Sequence, residues 1–450
     1  MIFAIMLFLL VVGSVLFHLY SPWYLTPLAS NWGTMDDTID LTFWVTGAVF
    51  VAINVFMAYC VFRFRNRPGQ KADYEPENKK LEIWLTGLTT LGVAAMLGPG
   101  LFVWADFVNV PEEAAQVEAV GQQWHWTYRF PGEDGKLGAV EARHVSVANP
   151  LGLVPEDPDG QDDVIVDNPE LHIPVGKPVK MLLRSMDVLH NFTVTQIRVK
   201  MDLVPGIVSY IWFTPTKTGE FDVMCEEYCG LAHFAMRGRI VFDEVPDFEK
   251  WLAKQPTFAE LAARPAGDAV AGKPLYAVCA ACHGTEGEGN LALNAPKLAG
   301  QQGWYMERQL QAFKHGKRGA DADDVFGQQM VPMMATLVDD VAIRNVVAHI
   351  ETLPDHPAPK TLSGDVARGE KLYRTCAACH GADGRGSHLT NAPRQTGMND
   401  WYLARQLQNF RSGIRGAHRD DIFGAQMGMM SANLRDQTIT DLVAYINELE

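Results

Sequence analysis

The chain has 450 residues, enough for two or three domains, with a formal net charge of -15 and ordinary overall hydrophobicity. That balance argues against a nucleic-acid-binding protein, which needs clustered Lys and Arg against phosphate. An acidic face suits a basic protein partner instead.

The apolar residues are concentrated in the first quarter. A helix needs about 20 apolar residues to cross the hydrocarbon core of a bilayer. Residues 2–20, 41–62 and 83–105 all qualify, so residues 1–110 read as a transmembrane region. Between the last two runs lies a loop carrying Arg63, Arg65, Arg67, Lys71, Lys79 and Lys80, whereas residues 21–40 contain no Lys or Arg. The positive-inside rule puts that loop in the cytoplasm and everything after about residue 106 on the outer side. The first run lacks the basic start and small-residue cleavage site of a signal peptide, which favours a retained helix. Cys60, inside the second run, reads as a buried structural thiol. Glu82 opens the last helix. An acidic residue there suits the helix dipole, and a carboxylate at membrane depth also suits proton uptake.

From residue 116 to about 245 the sequence changes to short runs rich in Val, Ile, Thr and aromatics, punctuated by Pro, Gly and Asp. "QVEAVGQQWHWTYRF" (116–130), "PVKMLLRSM", "HNFTVTQIRV", "VSYIWFTPT", "GEFDVMC" and "GRIVFDEV" read as strands of an antiparallel sandwich or Greek-key barrel. Such a frame holds end loops rigidly enough for ligands to converge.

One of those loops, "VMCEEYCGLAHFAMRGRI" (223–240), holds Cys225, Cys229, His233 and Met236. A Cys225–Cys229 disulfide leaves the imidazole and thioether without a role. Zinc prefers closed Cys/His sites and rarely takes thioether. Copper suits thiolate, thioether and imidazole together, and a pair of coppers accounts for the second thiol. A second imidazole must then come from elsewhere, and His190 in "SMDVLHNF" supplies it.

Cys225-x3-Cys229-x3-His233-x2-Met236, with "DVLHNF" and "GQQWHWTYRF" before it, resembles subunit II of the haem–copper oxidases over roughly residues 30–250. The resemblance implies an all-β cupredoxin Greek-key domain, here residues 111–248, with a dinuclear CuA centre. His190 and His233 would each hold one copper, and Cys225 and Cys229 would bridge both. Met236 and the Glu227 carbonyl would be weak ligands, and the Glu227 carboxylate would reach a magnesium ion at the contact with subunit I. Glu82 matches the carboxylate at the mouth of a proton channel, although Trp84 stands two residues after it where the family has its Trp at three. Trp124 matches the family residue that relays electrons towards CuA. His125 replaces a family Tyr beside it.

Beyond residue 250 the pattern turns helical and repeats with a period of 97: "LYAVCAACHGTEGEG" (275–289) returns as "LYRTCAACHGADGRG" (372–386). Two copies read as two small domains, residues 265–355 and 362–450, joined by Pro/Ala/Gly-rich spacers. Each contains C-x-x-C-H, the attachment signature of c-type haem, on Cys279, Cys282 and His283 and again on Cys376, Cys379 and His380. A downstream Met should complete the iron. Met330 and Met333 recur as Met427 and Met430, while Met334 meets Ser431 and drops out. A resemblance to small bacterial cytochromes c, all-α class I domains, favours Met330 and Met427.

The expectation is an electron-entry subunit in a bacterial plasma membrane, its copper and haem domains on the periplasmic side. The expected partners are subunit I, with its haem a and copper B type centre, subunit III, and a c-type cytochrome or other donor. Oxygen reduction falls to subunit I, for which this chain has no residues. Two alternatives stay open: a nitric oxide reductase subunit, and a membrane electron carrier without an enzyme.

Overall fold

The computed structural model describes residues 2–21, 26–71, 74 and 76–449. Among the described residues three helices are long and apolar enough to cross a membrane: α1 (Ile2–Tyr20), α2 (Gly33–Arg63) and α3 (Lys79–Val108). The last two outrun the expected 41–62 and 83–105. At 1.5 Å per residue α2 is roughly 46 Å long, against about 30 Å of hydrocarbon, so its ends project into the polar layers. The extra first turns are tolerated there because Asp36, Asp37 and Asp40 lie outside the apolar stretch. Asn78 caps α3, its side chain accepting from the Leu81 amide (3.1 Å). Cys60, expected to be buried, is half-buried on α2.

Ten strands follow: β1 (Ala115–Gln122), β2 (His125–Phe130), β3 (Val164–Val166), β4 (Glu170–Pro174), β5 (Val179–Ser185), β6 (His190–Thr193), β7 (Lys200–Leu203), β8 (Ser209–Phe213), β9 (Gly219–Met224) and β10 (Arg237–Asp243). They form two five-stranded sheets, ordered β3-β2-β1-β5-β8 and β4-β10-β9-β6-β7. The pairing is not wholly antiparallel, since β1 runs parallel to β5 and β10 parallel to β4. Residues 116–130, which read as one strand, fold back as the β1–β2 hairpin, with Gln122 opposite His125 and Gln123–Trp124 at the turn. Between the sheets, Trp126, Tyr128, Phe192, Phe213 and Phe242 are fully buried.

Two indoles clamp this sandwich to the membrane helices. Trp32 Nε1 donates to the Trp212 carbonyl (2.8 Å), and Trp212 Nε1 donates to the Phe107 carbonyl (2.9 Å). Arg198 adds a bond from Nε to Asp36 at the start of α2 (2.6 Å).

Short helices α4 (Val245–Leu252) and α5 (Phe258–Ala262) lead to the repeat. Its first copy holds α6 (Ala269–His283), α7 (Gly303–Lys314), α8 (Val325–Met333) and α9 (Asp340–Glu351). The second holds α10 (Val366–His380), α11 (Asp400–Arg411), α12 (Ile422–Ser431) and α13 (Asp436–Ile446). Gly272 and Gly369 sit where the first helix of each copy crosses the last. A Cβ there would collide with the Asn345 or Asp441 carbonyl, so glycine permits the close crossing.

The two copies face each other across a pseudo-symmetric seam. Arg318 donates to Tyr402 Oη (2.6 Å), and its counterpart Arg415 donates to Tyr305 Oη (2.9 Å). Arg308 donates to Asn391 Oδ1 (2.6 Å), and Arg405 to Asn294 Oδ1 (2.7 Å).

Candidate metal and haem centres

The loop between β9 and β10 spans residues 225–236, its ends pinned by the antiparallel pairing of Met224 with Arg237. β6 lies beside β9, with Thr193 opposite Met224, and this brings His190 to the same end of the sheet. The Cys225 and Cys229 sulfurs are 3.8 Å apart, too far for a disulfide and close enough to share metal ions. His190 Nδ1 lies 4.0 Å from Cys225 Sγ, and His233 Nδ1 lies 3.4 Å from Cys229 Sγ. Met236 Sδ is 3.7 Å from Cys229 Sγ, and the Glu227 carbonyl is 3.2 Å from Cys225 Sγ. All six residues picked from the sequence therefore meet at one point. His190, Cys225 and Cys229 are buried, with ligand atoms within 4.8 Å of one another.

The thiols do not ionise alike. The Cys229 thiol bonds to Cys225 and pulls its pKa down to about 3, against its burial, with His190 assisting. Cys229 is pushed up by that neighbour and by burial. Sulfur, imidazole and thioether in this arrangement fit copper.

The surroundings hold the site rigid. His190 Nε2 lies 2.8 Å from Asp187 Oδ1, which turns Nδ1 towards the sulfurs. Trp124 is buried, and its Nε1 donates to the Cys229 carbonyl (3.2 Å), as does Gln123 Nε2 (2.7 Å). Gly230 has φ +120°, and a Cβ there would stand 2.8 Å from Gln123 Nε2. The sequence reading missed Asp187, though its place three residues before His190 was the available signal.

Each C-x-x-C-H closes a helix, α6 or α10, and its histidine is buried in its own copy. His283 Nδ1 is 2.7 Å from the Pro296 carbonyl, and His380 Nδ1 is 2.8 Å from the Pro393 carbonyl. Burial lowers both pKa values, so each ring is neutral, with N–H at Nδ1 and a free lone pair at Nε2. That is the tautomer a haem iron needs, and the paired cysteines are not joined to each other as disulfides. A cavity of about 230 Å³ is lined by Cys279, Cys282, His283, Met330, Met333 and Met334. In the second copy His380 and Met427 line a cavity of about 330 Å³. Met430 instead packs against the core of the strand domain, together with Met429 and Cys379.

Glu82 lies exposed in the first turn of α3, roughly 39 Å of helix from the end nearer the strand domain. His125, buried beside Trp124, is held neutral at a pKa of about 4, chiefly by burial. As acceptor, its Nδ1 takes a bond from Asn391 Nδ2 of the second copy (3.2 Å).

Comparison with known proteins agrees with this geometry. Residues 115–245 match the family described as cytochrome C oxidase subunit II, periplasmic domain. Residues 269–354 and 366–450 each match the family described as cytochrome c. The chain is 57% identical over 263 residues to the alternative cytochrome c oxidase subunit 2 of Bradyrhizobium diazoefficiens, covering 58% of this chain and 95% of that one. It is 33% identical over 201 residues to cytochrome c4 of Azotobacter vinelandii, covering 42% of this chain and 91% of that one. It is 26% identical over 258 residues to cytochrome c oxidase subunit 2 of Cereibacter sphaeroides, covering 54% and 84% respectively. The chain belongs to the cytochrome c oxidase subunit II family, as a copper-carrying subunit of a haem–copper oxidase that has two haem-carrying cytochrome c domains of its own.

Proposed function

We propose that the chain is the electron-entry subunit of a terminal respiratory oxidase, taking electrons from a c-type cytochrome and delivering them to the oxygen-reducing subunit I. The bound groups, two haems c and a dinuclear copper centre, supply one-electron chemistry with little rearrangement. The residues' part is to hold them. Cys279 and Cys282, and likewise Cys376 and Cys379, would bind the haems covalently, with His283 and His380 beneath the irons. Met330 and Met427 would close the far sides. His190, His233, Cys225 and Cys229 would hold the coppers, with Met236 and the Glu227 carbonyl as weak ligands. Trp124 would be the relay next to that centre, a reading supported by its hydrogen bond to the Cys229 carbonyl.

The membrane is the bacterial plasma membrane. Subunit I, with subunit III beside it, would sit against the helices and the copper loop. The Glu227 carboxylate would reach a magnesium ion there, and Glu82 would take up protons at the cytoplasmic edge. The relatives that match the first part of the chain are oxidase subunits, so neither a nitric oxide reductase nor a free-standing carrier is favoured.

The observation that carries the reading is the convergence of His190 with the Cys225–Met236 loop. Metal and haem analysis of the purified chain tests it. Two coppers with a mixed-valence near-infrared band are expected, with two haems c, one for each C-x-x-C-H. Zinc in the loop, or a colourless protein, overturns it.

A further inference from the structure

The repeat gives two haem sites of nearly identical make, yet they stand differently towards the copper loop. Trp124 and Gln123, at the β1–β2 turn, both donate to the Cys229 carbonyl, so on the function proposed above this turn is the shortest bonded approach to the copper loop from outside. In this chain the surface of that turn is taken by the second copy. Gln426 Nε2 donates to the Trp124 carbonyl (2.5 Å), with the Ala235 carbonyl at 3.4 Å. Gln122 Nε2 donates to the Leu389 carbonyl (2.9 Å). His125 accepts from Asn391 and meets the Phe423 ring edge-on at 6.0 Å. Cys379, a haem-attaching thiol, packs with Met429 and Met430 against the core that contains Cys225, Cys229 and Met236. At the rim, Arg419 pairs with Glu220 (2.9 Å).

The first copy does not repeat these contacts. Asn294, the counterpart of Asn391, accepts from Arg405 of the other haem domain, and Cys282, the counterpart of Cys379, is exposed. What the first copy contributes is Arg308, which holds the Asn391 amide by its oxygen (2.6 Å) while the nitrogen of that amide bonds to His125. Arg308, Asn391 and His125 thus join all three extramembrane units in one line.

Resting on the function proposed above, we infer that the two haem domains act in series: the C-terminal domain is the fixed donor to the copper centre and closes the Trp124 surface to soluble cytochromes, which dock only on the first haem domain. Each transfer moves one electron and no proton. The soluble donor is oxidised as the first haem is reduced, the first as the second is reduced, and the second as copper is reduced.

The test is rapid mixing of the fully loaded oxidase complex with a reduced soluble c-type cytochrome, following haem and near-infrared copper absorbance separately. In Cys376→Ser/Cys379→Ser, the first haem should still be reduced while copper stays oxidised. In Cys279→Ser/Cys282→Ser, the cytochrome should reduce neither remaining centre, whereas a small chemical reductant should reduce both. Asn391→Ala/Gln426→Ala keeps both haem sites and serves if the thiol variants fail to assemble. Losing these hydrogen bonds should slow copper reduction by about tenfold, with haem reduction unchanged. Copper reduced at the unaltered rate without the second haem, or in the seam variant, overturns the inference. Preparations lacking copper or haem in the unaltered chain would instead overturn the function proposed above.

Discussion

Asp187 Oδ1 lies 2.8 Å from His190 Nε2 and fixes which ring nitrogen faces the two sulfurs. The same carboxylate accepts from the Gln123 backbone amide through its other oxygen (2.8 Å), so it ties His190 to the β1–β2 turn. Removing it by Asp187→Ala should lower copper affinity by about 10–100-fold, the usual loss for such a supporting partner. Competition with a copper chelator measures this, and the haem content should not change.

The methionines of the second haem domain separate by position. Met427 lines the cavity with His380, and Met430 packs against the strand domain. Met427→Ala should lower the potential of that haem by on the order of 0.1 V, within the ~0.8 V range that axial ligands control. Met430→Ala should leave the potential near its original value. Redox titration of the two variants decides the assignment, and the reverse pattern would reassign the ligand.

Proton uptake is separable from electron entry. Glu82→Gln should lower turnover and proton uptake of the assembled oxidase while leaving copper and haem spectra unchanged. A variant with full turnover would return Glu82 to the role of an acidic residue at a helix start.

His172 offers a pH test. Its ring stacks on Trp251 at 4.3 Å, with Asp243 at 2.5 Å from Nδ1 and Glu170 at 3.1 Å from Nε2. Burial opposes the charged ring, but these two carboxylates outweigh it and raise the pKa above 6.5. Arg239 pairs with Glu170 on the far side and competes for its charge. A raised folded-state pKa stabilises fully below the unfolded value and is lost as pH rises through the folded one. The melting-temperature gap between the unaltered chain and His172→Gln should therefore be widest below about pH 6.5 and narrow as pH rises through the raised folded-state pKa.

Arg129 is buried with Glu118 (2.9 Å) and Asp163 (2.8 Å), and Arg184 also reaches Glu118 (3.0 Å). Arg129→Met strands buried carboxylates and should cost about 3–5 kcal/mol in denaturant unfolding of the strand domain.

The site residues were legible because their chemistry is local. Both C-x-x-C-H motifs and the Cys225–Met236 loop fall within short runs, and His190 was found because a lone histidine ligand in the loop demanded a partner. Sheet pairing was less legible. The hairpin at Gln123–Trp124 has no Gly or Pro to mark it, so two strands read as one, and strands β3, β4 and β7 did not register beside their polar neighbours. The seating of the second haem domain on Trp124 left no mark at all. Gln426 and Asn391 are ordinary polar residues until the fold brings them against a strand some 270 to 300 residues earlier.

Trp32 and Trp212 have a mechanical consequence. Each indole donates across the boundary between the helices and the sandwich, the first from the start of α2 and the second to the end of α3. Their rings also meet edge-on, 4.7 Å apart. Two helices gripped at their tips cannot swivel independently of the sheets above. A change of helix tilt in a thicker or thinner bilayer is therefore passed on to the sheets rather than absorbed at the boundary.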